Sequence, residues 1–328
     1  MQLSIVVPVY MSASCLPELA HRVREDVGRH FDTYELILVN DSSPDESWRV
    51  IVQLTREYDF ITGINLRRNF GQDNAIMAGF NVARGEVIVV MDDDLQHDPS
   101  DISMLYERIQ NGFDAVYAWF DSKQQAFWKN LGSWFNDRFA IMALGKPKHI
   151  YMSPFKAIRR EVVDEIIKYS GPYPYVDGLI FTVTSNITQV PATHHRRFAG
   201  RGHYNLLRSI AVWLKLATGF SVIPLRMATF LGGLISLFSF SLAFYFIIEA
   251  VALKREPAGW ASVIVAILFI GGIELIGIGA VGEYIGRIFM TQNQRPQFTV
   301  KEVLRGIEPR TAPTAAAGAS VRPTSQST

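Results

Sequence analysis

The residues with most chemical promise form a run of carboxylates, MDDDLQHDP over residues 91–99, placed directly after the apolar stretch EVIVV. Asp92, Asp93 and Asp94 repel one another, and a divalent cation relieves such repulsion. An all-oxygen donor set suits Mg²⁺ or Mn²⁺, ions that also take phosphate oxygens. On an extended segment Asp92 and Asp94 project to alternate sides, so one can address a ligand while the other addresses the metal. The bland alternative is an exposed acidic turn or helix cap leading into Pro99–Asp101. A second motif, RRNFGQDNAIMAGF over residues 67–80, sets Arg67 and Arg68 ahead of Gly71, which opens a helix. Helix N-termini and nearby arginines attract phosphate, although a generic loop has the same composition.

The elements that must position these residues are legible as an alternating pattern. LSIVVPV, YELILVN, FITGINL and EVIVVM are short, β-branched apolar runs that read as strands. Helix-like stretches follow the first run to about His30, the second to about Tyr58 after a turn over Asp41–Ser47, and the third over residues 72–84. Strand–helix alternation predicts an α/β fold, a Rossmann-like and mostly parallel sheet with helices on both faces. In such sheets ligands bind beyond the carboxyl ends of the strands. Tyr10, Asp41, Arg68 and Asp92 are the polar residues predicted there.

Composition narrows the functional classes. The chain has 328 residues, 48% hydrophobic and 19% charged, with a net charge of +1. That balance argues against a nucleic-acid partner held by bulk positive charge. Cys15 is the single cysteine, so no internal disulfide and no multi-cysteine zinc site is possible. Charge is scarce in two local runs. Residues 227–253 carry one ionisable side chain, Glu249, and residues 258–285 carry Glu274 and Glu283. Each run exceeds the roughly 20 residues that cross a bilayer as a helix. A pair of buried core helices is the other way to house such runs. With the short connection KREPAG between them, the runs form a transmembrane hairpin, which returns both chain ends to one side.

Basic residues choose that side. Lys254 and Arg255 sit in the connection, whereas Arg201, Arg208, Lys215, Arg226, Arg287, Arg295, Lys301 and Arg305 flank the hairpin. Positive flanks stay cytoplasmic. The expected organisation is a cytoplasmic domain over 1–203, an amphipathic helix in the membrane interface over 204–226, the hairpin over 227–286, a membrane-proximal segment over 287–309 and a disordered tail over 310–328. An ordinary packed helix would also suit 204–226. Met1–Tyr10 reads as a strand and not as a signal peptide. The chain is thus expected to be an integral membrane protein with both termini cytoplasmic, in the inner membrane if bacterial.

IVVPVY, then VNDS (39–42) running into SPDES (43–47), then RRNFGQDNAIMAGF and MDDDLQHDP, in that order, resemble family 2 glycosyltransferases of the A-type fold. HHRRFAGRGHYNLLR and GEYIGRI, with the apolar runs between them, make the chain similar to polyprenyl-phosphate glycosyltransferases. These include the dolichyl-phosphate mannose synthase, undecaprenyl-phosphate glucosyltransferase and aminoarabinose transferase group. The resemblance implies metal-dependent, inverting transfer of a sugar from a nucleotide-diphosphate donor, UDP favoured, to a polyprenyl phosphate in membrane lipid, by a homo-oligomer that is a tetramer in relatives. It implies nucleotide contacts from Pro8, Tyr10, Asp41, Arg68, Asp92 and Asp93, and a metal held by Asp94 and Gln96. Asp92, Asp94 and Arg197 would be catalytic. Lys123, Lys129, Ser133, His195 and Arg201 would address the acceptor phosphate, with a strand-end cap as the other reading of His195. Asp177, in PYPYVDGLI, reads by itself as a base, a sugar contact or a loop cap. Three positions depart from the family pattern: Met11 and Ser12 replace Asn-Glu, Phe120 stands where many relatives have arginine, and Ser153 stands where some have a carboxylate. A phosphate acceptor is already an anion near neutral pH, so a missing base is tolerable. Two competing functions are a processive polysaccharide synthase and a non-catalytic, membrane-anchored nucleotide-binding scaffold.

Overall fold

The computed structural model describes residues 1–120, 147, 150–171, 173–193, 259–293 and 296–306, with scattered positions between 225 and 248. Eight strands form one sheet: β1 (Leu3–Val9), β2 (Tyr34–Asn40), β3 (Ile61–Leu66), β4 (Val87–Val90), β5 (Ala115–Trp119), β6 (Lys156–Arg159), β7 (Ile187–Pro191) and β8 (Val300–Arg305). Their spatial order is β7-β5-β6-β4-β1-β2-β3-β8. The contiguous set β3-β2-β1-β4 is parallel, as the alternating pattern predicts. β6 runs antiparallel to both β4 and β5, and β8 runs antiparallel to β3.

Side-chain alternation along the strands divides the core in two. From β1, Leu3, Ile5, Val7 and Val9 face one core, shared with helices α1 (Leu16–Arg22), α2 (Ser47–Glu57) and α4 (Ile102–Gln110). Val6 faces the other, shared with α3 (Gln72–Val82), α5 (Arg160–Ile166) and α6 (Val176–Val183). Burying one Val, Leu or Ile stabilises by roughly 1.5–3 kcal/mol, so the period-2 pattern fixes register on both faces. The predicted first helix is interrupted: α1 passes into a π-turn over Val23–Val27. α3 stops at Val82, short of the predicted residue 84, because Ala83 turns extended at φ −58° and ψ 138°.

β8 is the element with the largest consequence. It lies within the predicted membrane-proximal segment, yet it belongs to the same sheet as β1. Because β8 opposes β3, Val300 pairs with Leu66 at the carboxyl end of the sheet. The Arg67 N–H donates to the Thr299 carbonyl at 2.9 Å. Just before it, the Gln297 side-chain amide donates to the carbonyl of Gly171 at 2.9 Å, and Phe298 and Val300 pack on the second core. This return follows a 33-residue helix, Trp260–Gln292, whose stretch Phe269–Gln292 has mean hydropathy 1.4 and is long and apolar enough to cross a membrane. It begins near the predicted residue 258 and runs beyond the predicted residue 285. Among the described residues no second helix of that length occurs; the first predicted run contributes a shorter apolar helix, Gly232–Leu242. Residues 204–224 and 307–328 lie outside the described residues.

Candidate active site

The loops at the carboxyl ends of β1, β2, β3 and β4 enclose a cleft of about 320 Å³ lined by Pro8, Tyr10, Asp41, Gly71, Gln72 and Asp92–Asp94, with Val9 and Asn69. Among the described residues, the non-glycine positions with positive φ are Met11 (58°), Ser42 (52°) and Leu95 (61°). All three sit in these loops. Such backbone costs energy and persists only where surrounding contacts over-determine it, which is typical of functional sites.

Those contacts are specific. Asp41 is buried at the end of β2, and its two carboxylate oxygens accept from the Phe70 N–H at 2.7 Å and the Gly71 N–H at 2.8 Å. Gly71 has φ +94°, a conformation that suits glycine, and it opens α3. Burial raises the Asp41 pKa, and those two N–H donors oppose the rise. Asp93 ties the first loop to the fourth by accepting from the Tyr10 N–H at 3.1 Å. The Met11 N–H donates to the Ser43 hydroxyl at 2.8 Å. Asp45 gathers the Ser47 hydroxyl at 2.6 Å and the Ala13 N–H at 3.1 Å, and its hydrogen bonds hold its pKa low despite burial.

The acidic turn carries the electrostatic character of the cleft. Burial, then the Asp94 and Asp93 charges, push Asp92 up to about 7; Lys156 and a hydrogen bond from Gln72 oppose the rise. That bond runs from the Gln72 side-chain amide to Asp92 Oδ1 at 2.9 Å. The Gln96 N–H donates to Asp94 Oδ1 at 3.2 Å. Four carboxylates line the cleft, and no cationic side chain lines it among the described residues. An anionic ligand there meets negative charge that a bound cation would offset. Among the described residues no three His, Cys, Asp or Glu side chains form a metal cage. Mg²⁺ does not require one: it binds through one or two carboxylates and completes its shell with water and phosphate oxygens. Asp92 and Asp94 fit an ion of that kind.

Behind the turn lies a second set of charges. Lys156, at the start of β6 and 3% exposed, pairs with Asp177 in the first turn of α6. The Tyr117 hydroxyl donates to the same Asp177 oxygen at 2.9 Å, and the Val176 N–H donates to Asp73 Oδ1 at 3.1 Å. Burial, chiefly, pushes Asp73 up to about 6. Asp177 does not line the cleft.

Six predicted residues thus share one cleft: Pro8, Tyr10, Asp41, Asp92, Asp93 and Asp94. Arg68 stands beside it with its guanidinium 4.6 Å from the Phe70 ring centroid, and Gln96 adjoins it through its backbone. Lys123, Lys129, Ser133, His195, Arg197 and Arg201 lie outside the described residues. Sequence reasoning missed Gln72 and His97, although both fall inside the quoted motifs. The signal for Gln72 was its place at the first turn of a helix that starts on the cleft.

The sequence pattern of "Glycosyl transferase family 2" matches residues 4–167. The chain is 33% identical over 311 residues to an uncharacterized glycosyltransferase of Synechocystis sp., covering 94% of this chain and 96% of that protein. It is similar in fold to glucosyl-3-phosphoglycerate synthase from Mycobacterium tuberculosis. The complex of that enzyme with Mn²⁺, UDP and phosphoglyceric acid is 14% identical and covers 66% of this chain and 76% of the other, with a TM-score of 0.48. Its complex with phosphoglyceric acid alone gives a TM-score of 0.47 at 14% identity, covering 66% and 78%.

Proposed function

This chain belongs to glycosyl transferase family 2 and is a glycosyltransferase, and from that premise we propose that it moves a sugar from a UDP-linked donor to a polyprenyl phosphate at the membrane surface. One observation carries the acceptor: the acidic cleft and the end of the long apolar helix meet at the same edge of the sheet. Val300 enters β8 beside Leu66, one residue before the Arg67–Gly71 loop, and the Tyr173 hydroxyl lies 4.0 Å from Met290 Sδ of the long helix. A phosphate on a membrane-buried lipid stays at the interface, within reach of an edge so tethered. With a second span over 227–253, the chain would be an integral membrane protein carrying its catalytic domain and both ends in the cytoplasm.

In this reading Tyr10 and Asp41 flank the nucleoside, and Asp92, Asp94 and Gln96 hold Mg²⁺ or Mn²⁺. When bound, the ion supplies charge neutralisation at the diphosphate leaving group. Gln72 and Asp93 keep the turn and the nucleotide loop in register. Arg68, Arg197 and Arg201 supply further positive charge to phosphates, with Lys123, Lys129, Ser133 and His195 at the acceptor. An acceptor phosphate oxygen forms a bond to the anomeric carbon as the bond from that carbon to the diphosphate oxygen breaks. The nucleoside diphosphate departs with that electron pair, and configuration inverts. No proton need be removed from the nucleophile, which leaves Asp177 free to serve its partners Lys156 and Tyr117.

The test is direct. Full-length protein in nanodiscs, given labelled UDP-sugars, Mn²⁺ and polyprenyl phosphate, is expected to yield an organic-extractable monosaccharide lipid. Polymer would instead establish a processive synthase. Nucleotide binding with no transfer to polyprenyl phosphate from any donor would overturn the acceptor assignment.

A further inference from the structure

His97 is 3% exposed, and its ring lies between two phenylalanines. It is stacked on Phe155 at 5.1 Å and 16° and on Phe120 at 5.5 Å and 6°. Packing alone would be served by any aromatic ring. The imidazole does something more: the Asp92 backbone N–H donates to its Nδ1 at 3.2 Å. That bond closes a six-residue loop, Asp92–His97, around Leu95, which is 2% exposed and has φ +61°. A branched residue in left-handed backbone is unfavourable by roughly 1–2 kcal/mol, and the turn reverts unless something holds it. An amide donor left without an acceptor in this half-buried place adds a further penalty.

We propose that His97 is the positioning residue of the acidic turn: clamped between Phe120 and Phe155, its Nδ1 fixes the Asp92 backbone and thereby the spacing of the Asp92 and Asp94 carboxylates toward a divalent ion. The proposal rests on the functional reading above. It assigns the tautomer as well. Because Nδ1 accepts from a backbone N–H, the ring's own proton resides on Nε2. The catalytic domain therefore contains a histidine that acts on the site through backbone geometry.

Two variants separate the acceptor from the packing. His97→Phe keeps a ring between Phe120 and Phe155 and deletes the acceptor. His97→Asn gives up the stack but retains an acceptor oxygen near the place of Nδ1. Mn²⁺ binding to the full-length protein with UDP, followed by electron paramagnetic resonance, is expected to weaken about 10-fold or more in H97F. H97F is expected to melt close to the wild type, and H97N to recover most of the metal affinity at a lower melting temperature. The ¹⁵N spectrum of histidine-labelled wild-type protein is expected to show one ring protonated on Nε2 with Nδ1 as acceptor, and that signal to be missing in H97N. Wild-type Mn²⁺ affinity in a folded H97F, or a proton on Nδ1 of His97 in the wild type, overturns the proposal alone. Failure of the wild-type protein to bind Mn²⁺ with UDP overturns the functional reading and this proposal with it.

Discussion

Asp94 and Asp73 respond to opposite demands around the same cleft. Asp94 lines the cleft, and its proposed work is charge. Asp94→Asn preserves shape and removes that charge, so metal-dependent transfer is expected to fall below detection while UDP-free melting stays near the wild type; normal turnover would remove Asp94 from the site. Asp92, pushed up to about 7, holds a proton over part of the neutral range in the metal-free protein. A cation binds the carboxylate only, so Mn²⁺ affinity is expected to climb from about pH 6 to about pH 8. A flat titration across that interval would contradict the assignment. Asp73 shows the stability side of the same chemistry. Its folded pKa of about 6 lies above the usual 3.8, so the folded chain holds a proton that the unfolded chain releases earlier. Ionising Asp73 in the folded state is unfavourable, and stability falls as pH rises through about 6. Asp73→Asn retains the acceptor for the Val176 N–H. It is expected to be more stable than the wild type above that pH, by at most about 3 kcal/mol, with the difference vanishing near pH 4. Chemical denaturation at the two pH extremes checks the sign.

At the scale of elements, α3 couples the core to the cleft, since its first turn brings Gly71 to Asp41 and Gln72 to Asp92. It can do so because Gly79 lets it sit directly on β1: a Cβ there would stand 2.3 Å from Val6 Cγ1. Gly79→Ala is expected to lift α3 from the sheet, destabilise by about 1–3 kcal/mol and weaken UDP binding together with stability, as melting and calorimetry would show. The parallel strands β1 to β4 and helices α2 and α3 were legible because each buries a full face and so writes its period into the sequence. The acidic turn was legible because it follows such a strand. β8 was not, since VKEVLR is an edge strand with Lys301, Glu302 and Val303 exposed, a pattern that solvated segments share. β6 was obscured by Lys156, a charge at a core position that makes sense only beside Asp177. Gln72 and His97 stood in quoted motifs, but their roles are hydrogen bonds to Asp92 that depend on three-dimensional closeness and leave no periodic trace.

For the whole molecule, β8 turns a question of hydropathy into one of counting. Residues 1–193 and 300–305 contribute strands to one sheet, so both stretches lie in one compartment. Whatever number of crossings lies between must be even. If Phe269–Gln292 crosses, a second span must precede it, and the run 227–253 has the composition to be that span. The positive flanks then argue for a cytoplasmic sheet, with Lys254 and Arg255 alone on the far side. Cys15, the only cysteine, is buried, so single cysteines placed elsewhere report by themselves. In intact cells a membrane-impermeant maleimide is expected to label Lys254→Cys and to reach Arg29→Cys and Lys301→Cys only after permeabilisation. Arg29 and Lys301 are exposed and lie on opposite ends of the chain, so their agreement tests the sheet itself. Labelling of Lys301→Cys from outside with Arg29→Cys protected would break the β3–β8 pairing. Equal protection of all three would place no crossing between them, and the acidic cleft would then have to find its acceptor in solution.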